Sequence, residues 1–229
     1  MAIYAISEAT LTALADEVRS KIESDAPLSP ADMINAIHGI VAHTKDVDGL
    51  LMRTSTSLES LTATSVADYA MFSNQKIEDV SLPAVTKIGE YAFCSCGNLE
   101  SVNSGAVEIG SYAFYGCDHL QDFTWADGII DIGVGAFDGC ASLTTVNLRN
   151  AAFAALSASA FANSGVTELW LPEGRFCSVP NDSTFAGSPI GLGGSGGVIY
   201  VPLRYRFQYE SNSKWTGVFK GGQNRIVSY

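Results

Sequence analysis

The sequence predicts a mainly β solenoid in which every coil contributes one short strand plus a turn or short helix, preceded by a hairpin of two helices. An internal repeat carries this prediction. The stretch IGEYAFCSCGNLESV at 88–102 returns as IGSYAFYGCDHLQDF at 109–123 and as IGVGAFDGCASLTTV at 132–146. Looser units begin at Val66, Leu156 and Val179, which makes the successive steps 22, 21, 23, 24 and 23 residues. Coils of 21 to 24 residues are too short for two helices and fit one strand with a tight turn.

The strand of each coil is predicted from a Leu-x-x-Val-x-Leu pattern. Clear examples lie at 77–82, 143–148 and 166–171. The last three residues of the pattern alternate inward, outward and inward, as they do in a half-buried strand. A proline follows directly at Pro83, Pro172 and Pro202. Because proline has no N–H to donate onward, it marks the end of the strand and the start of the turn.

A column of large side chains is expected to fill the interior. In each unit a large residue follows a small one, and the large residues are Met71, Phe93, Phe114, Phe137, Phe161 and Phe185. Stacked in register, they would fill the core while the small residues let neighbouring coils approach. Each buried phenylalanine contributes roughly 1.5 to 3 kcal/mol. We therefore expect the coils to be stable together although none is stable alone.

A second column consists of small residues, namely Cys96, Cys117 and Cys140, continued by Ser164 and Ser188. A position that accepts Cys or Ser indicates a small, tightly packed interior site, so we expect inert buried thiols. Cys94 and Cys177 lie off this column and are candidates for exposure.

The repeat pattern I-G-x-x-A-F-x-G-C-x-x-L-x-x-V-x-L-P resembles the BspA-like class of bacterial leucine-rich repeats. The resemblance covers residues 57–202 and is tightest in the three central units. The fifth unit lacks the Gly-Cys pair, and the sixth inserts GLGGSGG before its strand. The resemblance implies a right-handed leucine-rich-repeat solenoid and a role in bacterial surface adhesion or in a phage structure.

Two short amphipathic helices are predicted before the repeats. The first, at 7–24, has four apolar residues on one face: Leu11, Leu14, Val18 and Ile22. The second begins with Ser29 as N-cap and Pro30 at the first helical position. This segment is similar to an N-terminal helical module on tail and other structural proteins of phages that infect Firmicutes. That resemblance concerns context and implies no chemistry.

The end of the sequence is expected to close the solenoid. An uncapped solenoid exposes apolar surface and strand edges. Five aromatic residues are available to cover them: Tyr205, Phe207, Tyr209, Trp215 and Phe219. The chain therefore divides into a helical hairpin at 1–44, the leucine-rich repeat solenoid at 45–202 and a C-terminal cap at 203–229.

Charge and hydropathy exclude several partners. The chain has 13 Lys and Arg against 24 Asp and Glu, a formal charge of -11, which argues against nucleic acid or an anionic membrane. No apolar run approaches the roughly 18 to 20 residues of a membrane span. The start, MAIYAISEAT, lacks the basic and long apolar regions of a signal peptide. We expect neither membrane insertion nor a signal peptide in this chain.

Two glycine motifs occur, and neither has the context that its chemistry requires. Gly191–Gly196 matches the dinucleotide fingerprint G-x-G-x-x-G, and Gly193–Gly197 matches the nucleophile motif G-x-S-x-G. Both motifs need a helix after the glycines, whereas here the strand VIYVP follows, so a flexible inserted loop fits better. Asp46-Val47-Asp48-Gly49 matches only part of a calcium loop. The histidines are not at ligand spacing, and we predict no enzyme, no cofactor and no metal site.

The outward face of the strands is the predicted binding surface. The outward positions form two columns, and their candidate binding residues are Trp170, Tyr200, Asn147, Thr124, Asn103, Asp79, Asp122 and Glu168. Trp170 and Tyr200 on adjacent coils would form an aromatic platform of the kind that contacts protein or glycan. Alternatively, the glycine loop or the C-terminal cap folds over them.

The sequence favours a non-catalytic binding or adhesion module that presents a repeat surface to a protein or glycan on a host or neighbouring cell. Such a module would be extracellular, on the cell surface or on a virion, and its N-terminal helices would mount it on an assembly or mediate self-association. The alternative is a structural spacer of a phage tail or virion, from a phage or prophage, with no recognition role. Exposure of Trp170 and Tyr200 would favour binding, and their burial would favour the spacer.

Overall fold

The computed structural model describes residues 56–61, 63–153, 155–191, 193–221 and 224–229. The predicted hairpin at 1–44 lies outside the described residues. So do the partial calcium motif at 46–49 and the histidines His38 and His43.

The described chain winds into a parallel β solenoid with twelve short strands in three sheets. Sheet 1 contains β1 (Ser57–Glu59), β3 (Asp79–Leu82), β5 (Ser101–Ser104) and β7 (Asp122–Phe123). Sheet 2 contains β2 (Ser65–Val66), β4 (Lys87–Ile88), β6 (Glu108–Ile109) and β8 (Asp131–Ile132). Sheet 3 contains β9 (Thr145–Asn147), β10 (Glu168–Trp170), β11 (Val198–Val201) and β12 (Arg225–Ser228).

The predicted stacking register is confirmed. Asp79 lies opposite Ser101 in β5, and Ser101 lies opposite Asp122 in β7, so residues one repeat apart are neighbours in space. Sheet 3 continues the pattern with Leu169 between Val146 and Ile199. The architecture is the mainly β solenoid that the repeat predicts.

Each of the first four coils also has a second strand, which the sequence pattern did not predict. These strands form sheet 2 and have two residues each, a length at which inward and outward alternation cannot be recognised. The same position in the next two coils is marked by a single parallel bridge between Ala155 and Ser178. The coils therefore have strands on two sides and turns between them, with a 3-10 helix, Asp182–Phe185, in the sixth unit.

The phenylalanine column is confirmed and forms the centre of the core. The rings of Phe93, Phe114, Phe137, Phe161 and Phe185 follow one another with centroid separations of 5.3, 5.2, 5.4 and 5.7 Å. Their planes are nearly parallel, with angles of 2° to 11°. All five side chains are fully buried. The column is continuous from the second coil to the sixth.

The cysteine column is also buried, and each thiol bonds to the preceding coil. The Sγ atom of Cys96 donates to the carbonyl oxygen of Met71 (3.0 Å), that of Cys117 to Phe93 (3.0 Å) and that of Cys140 to Phe114 (3.2 Å). The serines differ, because Ser164 and Ser188 donate to the carbonyl oxygen of the phenylalanine in their own coil, at 2.7 Å each. A thiol reaches across a coil boundary where the shorter serine cannot.

The expected exposure of Cys94 and Cys177 is wrong. Cys94 is 5% exposed, because it lies in a column between the larger Phe72 and Tyr115 of the neighbouring coils. Cys177 is fully buried beneath the C-terminal cap, where its backbone N–H donates to the hydroxyl of Tyr209 (2.9 Å) and its carbonyl accepts from the indole of Trp215 (2.8 Å).

The cap comprises a 3-10 helix (Leu203–Tyr205), α1 (Arg206–Ser211), α2 (Ser213–Gly221) and strand β12. Tyr209 and Trp215 are fully buried, and the Trp215 ring lies 6.1 Å from that of Phe185, the last ring of the column. The expectation for Phe207 is wrong, because its side chain is 80% exposed. Trp215 therefore packs against the end of the phenylalanine column, and Tyr209 packs against Trp215 with ring centroids 5.5 Å apart.

The strand ladder is interrupted between β7 and β9, which belong to different sheets. The break coincides with bulky residues at inward positions. Phe123 and Trp125 stand where the preceding strand has Val102 and Ser104, and their rings lie 5.0 and 5.2 Å from that of Phe137. The outward face of the solenoid is therefore divided into two areas, one on sheet 1 and one on sheet 3.

Truncating the middle of the phenylalanine column should destabilise the whole solenoid. Phe114 contacts rings on both sides and the edge of Phe123, so Phe114→Ala should cost about 3 to 5 kcal/mol in the free energy of unfolding. The matched control is Phe207→Ala, which removes an exposed ring and should change stability by less than about 0.5 kcal/mol. Chemical denaturation of both variants measures the difference, and equal stability would contradict the column.

Burial should keep the thiols unreactive even in alkaline solution. Burial raises the pKa of Cys177 to about 12 and raises those of Cys117 and Cys140 well above the ordinary value. At pH 9 a free cysteine is largely thiolate, whereas these three remain protonated and therefore poor nucleophiles. Ellman titration of native protein at pH 9 should detect at most Cys94, the least deeply buried thiol, and all five after denaturation. Prompt reaction of two or more native thiols would refute this burial.

Candidate binding surface

The eight predicted surface residues fall into two groups, because the strand ladder breaks between sheet 1 and sheet 3. The sheet 1 group consists of Asp79, Asn103, Asp122 and Thr124, the last lying directly after β7, and all four are exposed. The hydroxyl of Ser101, between the two aspartates, donates to Asp79 Oδ1 at 2.5 Å. This area is polar and carries two carboxylates.

The second group lies on sheet 3 and contains the predicted aromatic pair. Trp170 and Tyr200 are opposite each other in β10 and β11, and their rings stack at a centroid distance of 3.7 Å with an interplanar angle of 4°. The Trp170 indole N–H donates to Glu168 Oε1 at 2.7 Å. Asn147 is exposed, and its Oδ1 accepts from the backbone N–H of Arg149 at 3.2 Å.

Sequence reasoning missed three residues that complete this group. The Tyr229 ring lies 5.4 Å from that of Trp170, and its hydroxyl donates to the carbonyl oxygen of Leu171. The guanidinium carbon of Arg149 lies 4.5 Å from the Tyr229 ring centroid, a cation–π distance, and Arg149 Nε lies 3.3 Å from Glu173 Oε2. Partial burial raises the pKa of Tyr229 to about 12, although Arg149 acts in the opposite direction.

We call Trp170, Tyr200, Tyr229 and Arg149 the aromatic cluster. Its three rings are half-buried, so Trp170 and Tyr200 are neither fully exposed, as a binding platform would be, nor fully covered, as a spacer would allow. Tyr229 is placed against Trp170 by strand β12, whose Val227 also lies opposite Tyr200. The cap therefore covers part of the predicted platform. One face of Trp170 and one face of Tyr200 are used against each other, so a partner can contact only the remaining surface of the two rings and their polar tips.

A second aromatic surface lies on the turns and was also missed. The rings of Tyr69, Tyr91 and Tyr112 stack with centroid separations of 5.0 and 5.1 Å and interplanar angles of 7° and 16°. We call these three residues the tyrosine ladder. Phe72 packs at one end, 6.0 Å from Tyr69, and Tyr115 packs at the other, 6.0 Å from Tyr112.

The tyrosine ladder is held in a costly backbone conformation. Tyr69, Tyr91 and Tyr112 have φ angles of 60°, 55° and 56°, in the left-handed region that disfavours large side chains. The coil requires this conformation, because the N–H groups of the turn alternate in direction. The N–H of Tyr91 donates to Ser111 O of the next coil, whereas that of Cys94 donates to Tyr91 O in the same coil. Each such residue costs of order 1 kcal/mol or more. The sequence signal was visible as a tyrosine before A-F or A-M in the first three units.

The metal and glycine motifs can be compared with the structure in the described part of the chain. No group of three or more His, Cys, Asp or Glu side chains among the described residues is arranged to hold a metal ion. The glycine motifs precede strand β11 and not a helix, and Gly197 N–H donates to Asn224 Oδ1 (2.8 Å), which ties the loop to the cap. No helix in the described ranges is long and apolar enough to cross a membrane.

Stacked coils with a phenylalanine column and a Leu-x-x-Val-x-Leu strand define a leucine-rich-repeat solenoid. The chain belongs to the BspA type leucine rich repeat family, whose profile matches residues 57–190 in six copies. The predicted family and repeat number are thus confirmed. A search of curated proteins found no match.

Solved structures share the fold at low identity. A leucine-rich repeat protein from Bacteroides ovatus aligns with a TM-score of 0.54 and 19% identity over 77% of this chain and 46% of its own. One from Eubacterium ventriosum aligns with a TM-score of 0.51 and 19% identity over 59% of this chain and 41% of its own. The present chain thus spans less than half the length of either protein, and the likeness shows the fold alone.

Proposed function

We propose that this protein is a non-catalytic binding module that presents the outward face of sheet 3 to a protein or glycan on a host or neighbouring cell. The observation that carries this function is the aromatic cluster. Tyr, Trp and Arg are the side chains that contribute most to binding interfaces, and here they lie together with Glu168 and Glu173 on one face.

The solenoid supports this role by presenting the cluster rigidly. Trp170, Tyr200 and Arg149 are on or next to strands whose backbones are bonded to neighbouring coils, so little conformational entropy is lost on binding. Because ring faces of Trp170 and Tyr200 are already stacked on each other, a protein partner that contacts edges and charged tips fits better than a sugar stacked on an open ring.

Presentation at a bacterial surface or on a virion is part of the same proposal. The family and the sequence resemblance of residues 11–40 to helical modules of phage structural proteins support it. In this arrangement the N-terminal helices mount the solenoid on a larger assembly or mediate self-association. A phage or prophage origin and a chromosomal origin are both compatible with the solenoid itself.

A structural spacer of a phage tail or virion is the second candidate function. One observation favours it: Tyr229 covers part of Trp170, which reduces the surface available to a partner. A spacer would use the stacked coils only to set a distance, and substitution of exposed residues on sheet 3 would have no effect on attachment.

Substitution of the aromatic cluster should weaken binding. The full chain would be tested against a glycan array and against whole bacterial cells, and Trp170→Ala with Tyr200→Ala should weaken any binding found by about tenfold or more. Tyr200→Phe, which keeps the ring and loses only the hydroxyl, should weaken binding less than Tyr200→Ala. Phe207→Ala, an exposed ring on the cap, is the matched control and should bind normally.

Thermal denaturation of each variant separates lost binding from lost structure. Binding that survives the double substitution in a folded protein would remove sheet 3 as the site. Absence of binding to every glycan and cell tested would favour the spacer.

A further inference from the structure

We infer that the tyrosine ladder is a second binding surface and that its partner is an arginine- or lysine-containing segment of another protein. The ladder lies on the turns and not on the outward face of sheet 3. It would add a site to the proposed module and does not depend on the aromatic cluster.

The ladder forms a continuous exposed aromatic surface. Tyr69 is 44% exposed and Tyr115 is 43% exposed, while Tyr91, Tyr112 and Phe72 are half-buried. Five aromatic rings in contact across three coils exceed the scattered apolar residues of an ordinary surface, and such a surface generally marks an interaction site. Tyrosine is also among the residue types most enriched in interfaces.

The fold itself does not need tyrosine at these positions. In the fourth and fifth coils the same position is occupied by Gly135 (φ 61°) and Ser159 (φ 55°), which adopt the same backbone conformation. Tyrosine therefore occupies this position although the left-handed backbone is less costly for a smaller residue. The left-handed conformation itself recurs along the solenoid, so the feature that requires an explanation is the large ring placed there in three successive coils.

The accessible chemistry of the ladder is a row of phenolic hydroxyls beside carboxylates. None of the hydroxyls of Tyr69, Tyr91 and Tyr112 forms a hydrogen bond within the described part of the chain, so all three are available to a partner. Asp68 and Glu90 precede Tyr69 and Tyr91 in the turns and are exposed. Asp68 Oδ1 accepts from the backbone N–H of Glu90 at 2.8 Å, which fixes this carboxylate in place.

The surrounding charge selects a cationic partner. Residues 63–148 contain eleven Asp and Glu and two Lys, and one of these lysines, Lys87, is paired with Glu108 at 3.6 Å. Guanidinium and ammonium groups would pair with the exposed carboxylates of Asp68 and Glu90. A neutral glycan would gain only hydrogen bonds from the carboxylates, whereas a cationic group would also gain charge attraction. The middle ring, Tyr91, has Tyr69 and Tyr112 stacked beside it, which leaves less open ring face for a sugar.

The spacing of the ladder suits an extended segment. Successive rings are 5.0 and 5.1 Å apart, so an extended chain rising about 3.3 Å per residue crosses the ladder in about three residues. At the far end the Tyr112 ring lies over Gly135, where an added Cβ would come within 2.5 Å of the ring. The stack of tyrosine rings therefore ends at the fourth coil, where Gly135 has no side chain to continue it.

A direct test uses a fluorescent nona-arginine peptide as the probe and a nona-glutamate peptide as its comparison. The native chain should bind nona-arginine and not nona-glutamate. The variant Tyr91→Asn with Tyr112→Asn should bind about tenfold more weakly or worse. These substitutions keep the net charge, so general attraction to an acidic protein is unchanged. Asparagine tolerates the left-handed region, so the melting temperature should stay within about 3 °C of the native value.

Matched controls show whether the charge beside the ladder contributes to binding and whether binding occurs at the ladder. Glu90→Gln should weaken binding severalfold, whereas Glu100→Gln, an equal charge change at an exposed site on the strand side, should leave it within about twofold. Tyr91→Phe retains the ring and should lose less affinity than Tyr91→Asn. Phe207→Ala should bind like the native chain.

Four results would overturn the inference. They are unchanged binding in the double asparagine variant, equal effects of Glu90→Gln and Glu100→Gln, no binding of nona-arginine by the native chain, and binding of a neutral soluble glucan in its place. If nona-arginine binding is instead lost in Trp170→Ala with Tyr200→Ala, the ladder is excluded while the proposed function of sheet 3 stands. Loss only in the tyrosine variants supports the ladder whatever happens to sheet 3.

Discussion

Hydrogen bonding between coils at a fixed register is the constraint on which the structure depends. Strand residues pair with strand residues one repeat away, and the turns do the same, as when Phe93 N–H donates to Ala113 O and Phe114 N–H to Ala136 O, each at 2.8 Å. Any shift in this register would misalign every column together. A large ring, a small thiol and a close-packed glycine therefore recur at the same place in each coil. Gly110 shows why this position requires glycine, since an added Cβ there would come within 2.6 Å of Glu90 N.

The same register determines what the surface can present. Columns of outward residues change slowly along the solenoid, so one face is acidic on sheet 1 and aromatic on sheet 3, and the turns carry the tyrosine ladder. The break between β7 and β9 coincides with a change in the core, where Phe123 and Trp125 replace smaller inward residues. Recognition, in this account, comes from rigid columns and not from a pocket, which is consistent with a repeat family whose members present extended surfaces.

The core could be predicted from the sequence because its residues repeat, whereas contacts that occur only once could not be predicted. The stacking of Phe93 on Phe114 and the burial of Cys117 follow from spacing alone, because the same residue type returns at every coil. Burial of Cys177 depends on helices that occur once, and Tyr229 meets Trp170 across 59 positions of sequence. Neither contact leaves a periodic signal. The tyrosine ladder did leave one, but its left-handed backbone and free hydroxyls are properties of the folded turn.

Nuclear Overhauser measurements on protein with labelled phenylalanine rings test the register most directly. The structure predicts cross-peaks between the rings of Phe93 and Phe114 and between those of Phe114 and Phe137, at centroid distances of 5.3 and 5.2 Å, and no direct cross-peak between Phe93 and Phe137. Contacts between Phe93 and Phe137, or rings that all lack these neighbours, would contradict the stacked coils and with them both proposed surfaces.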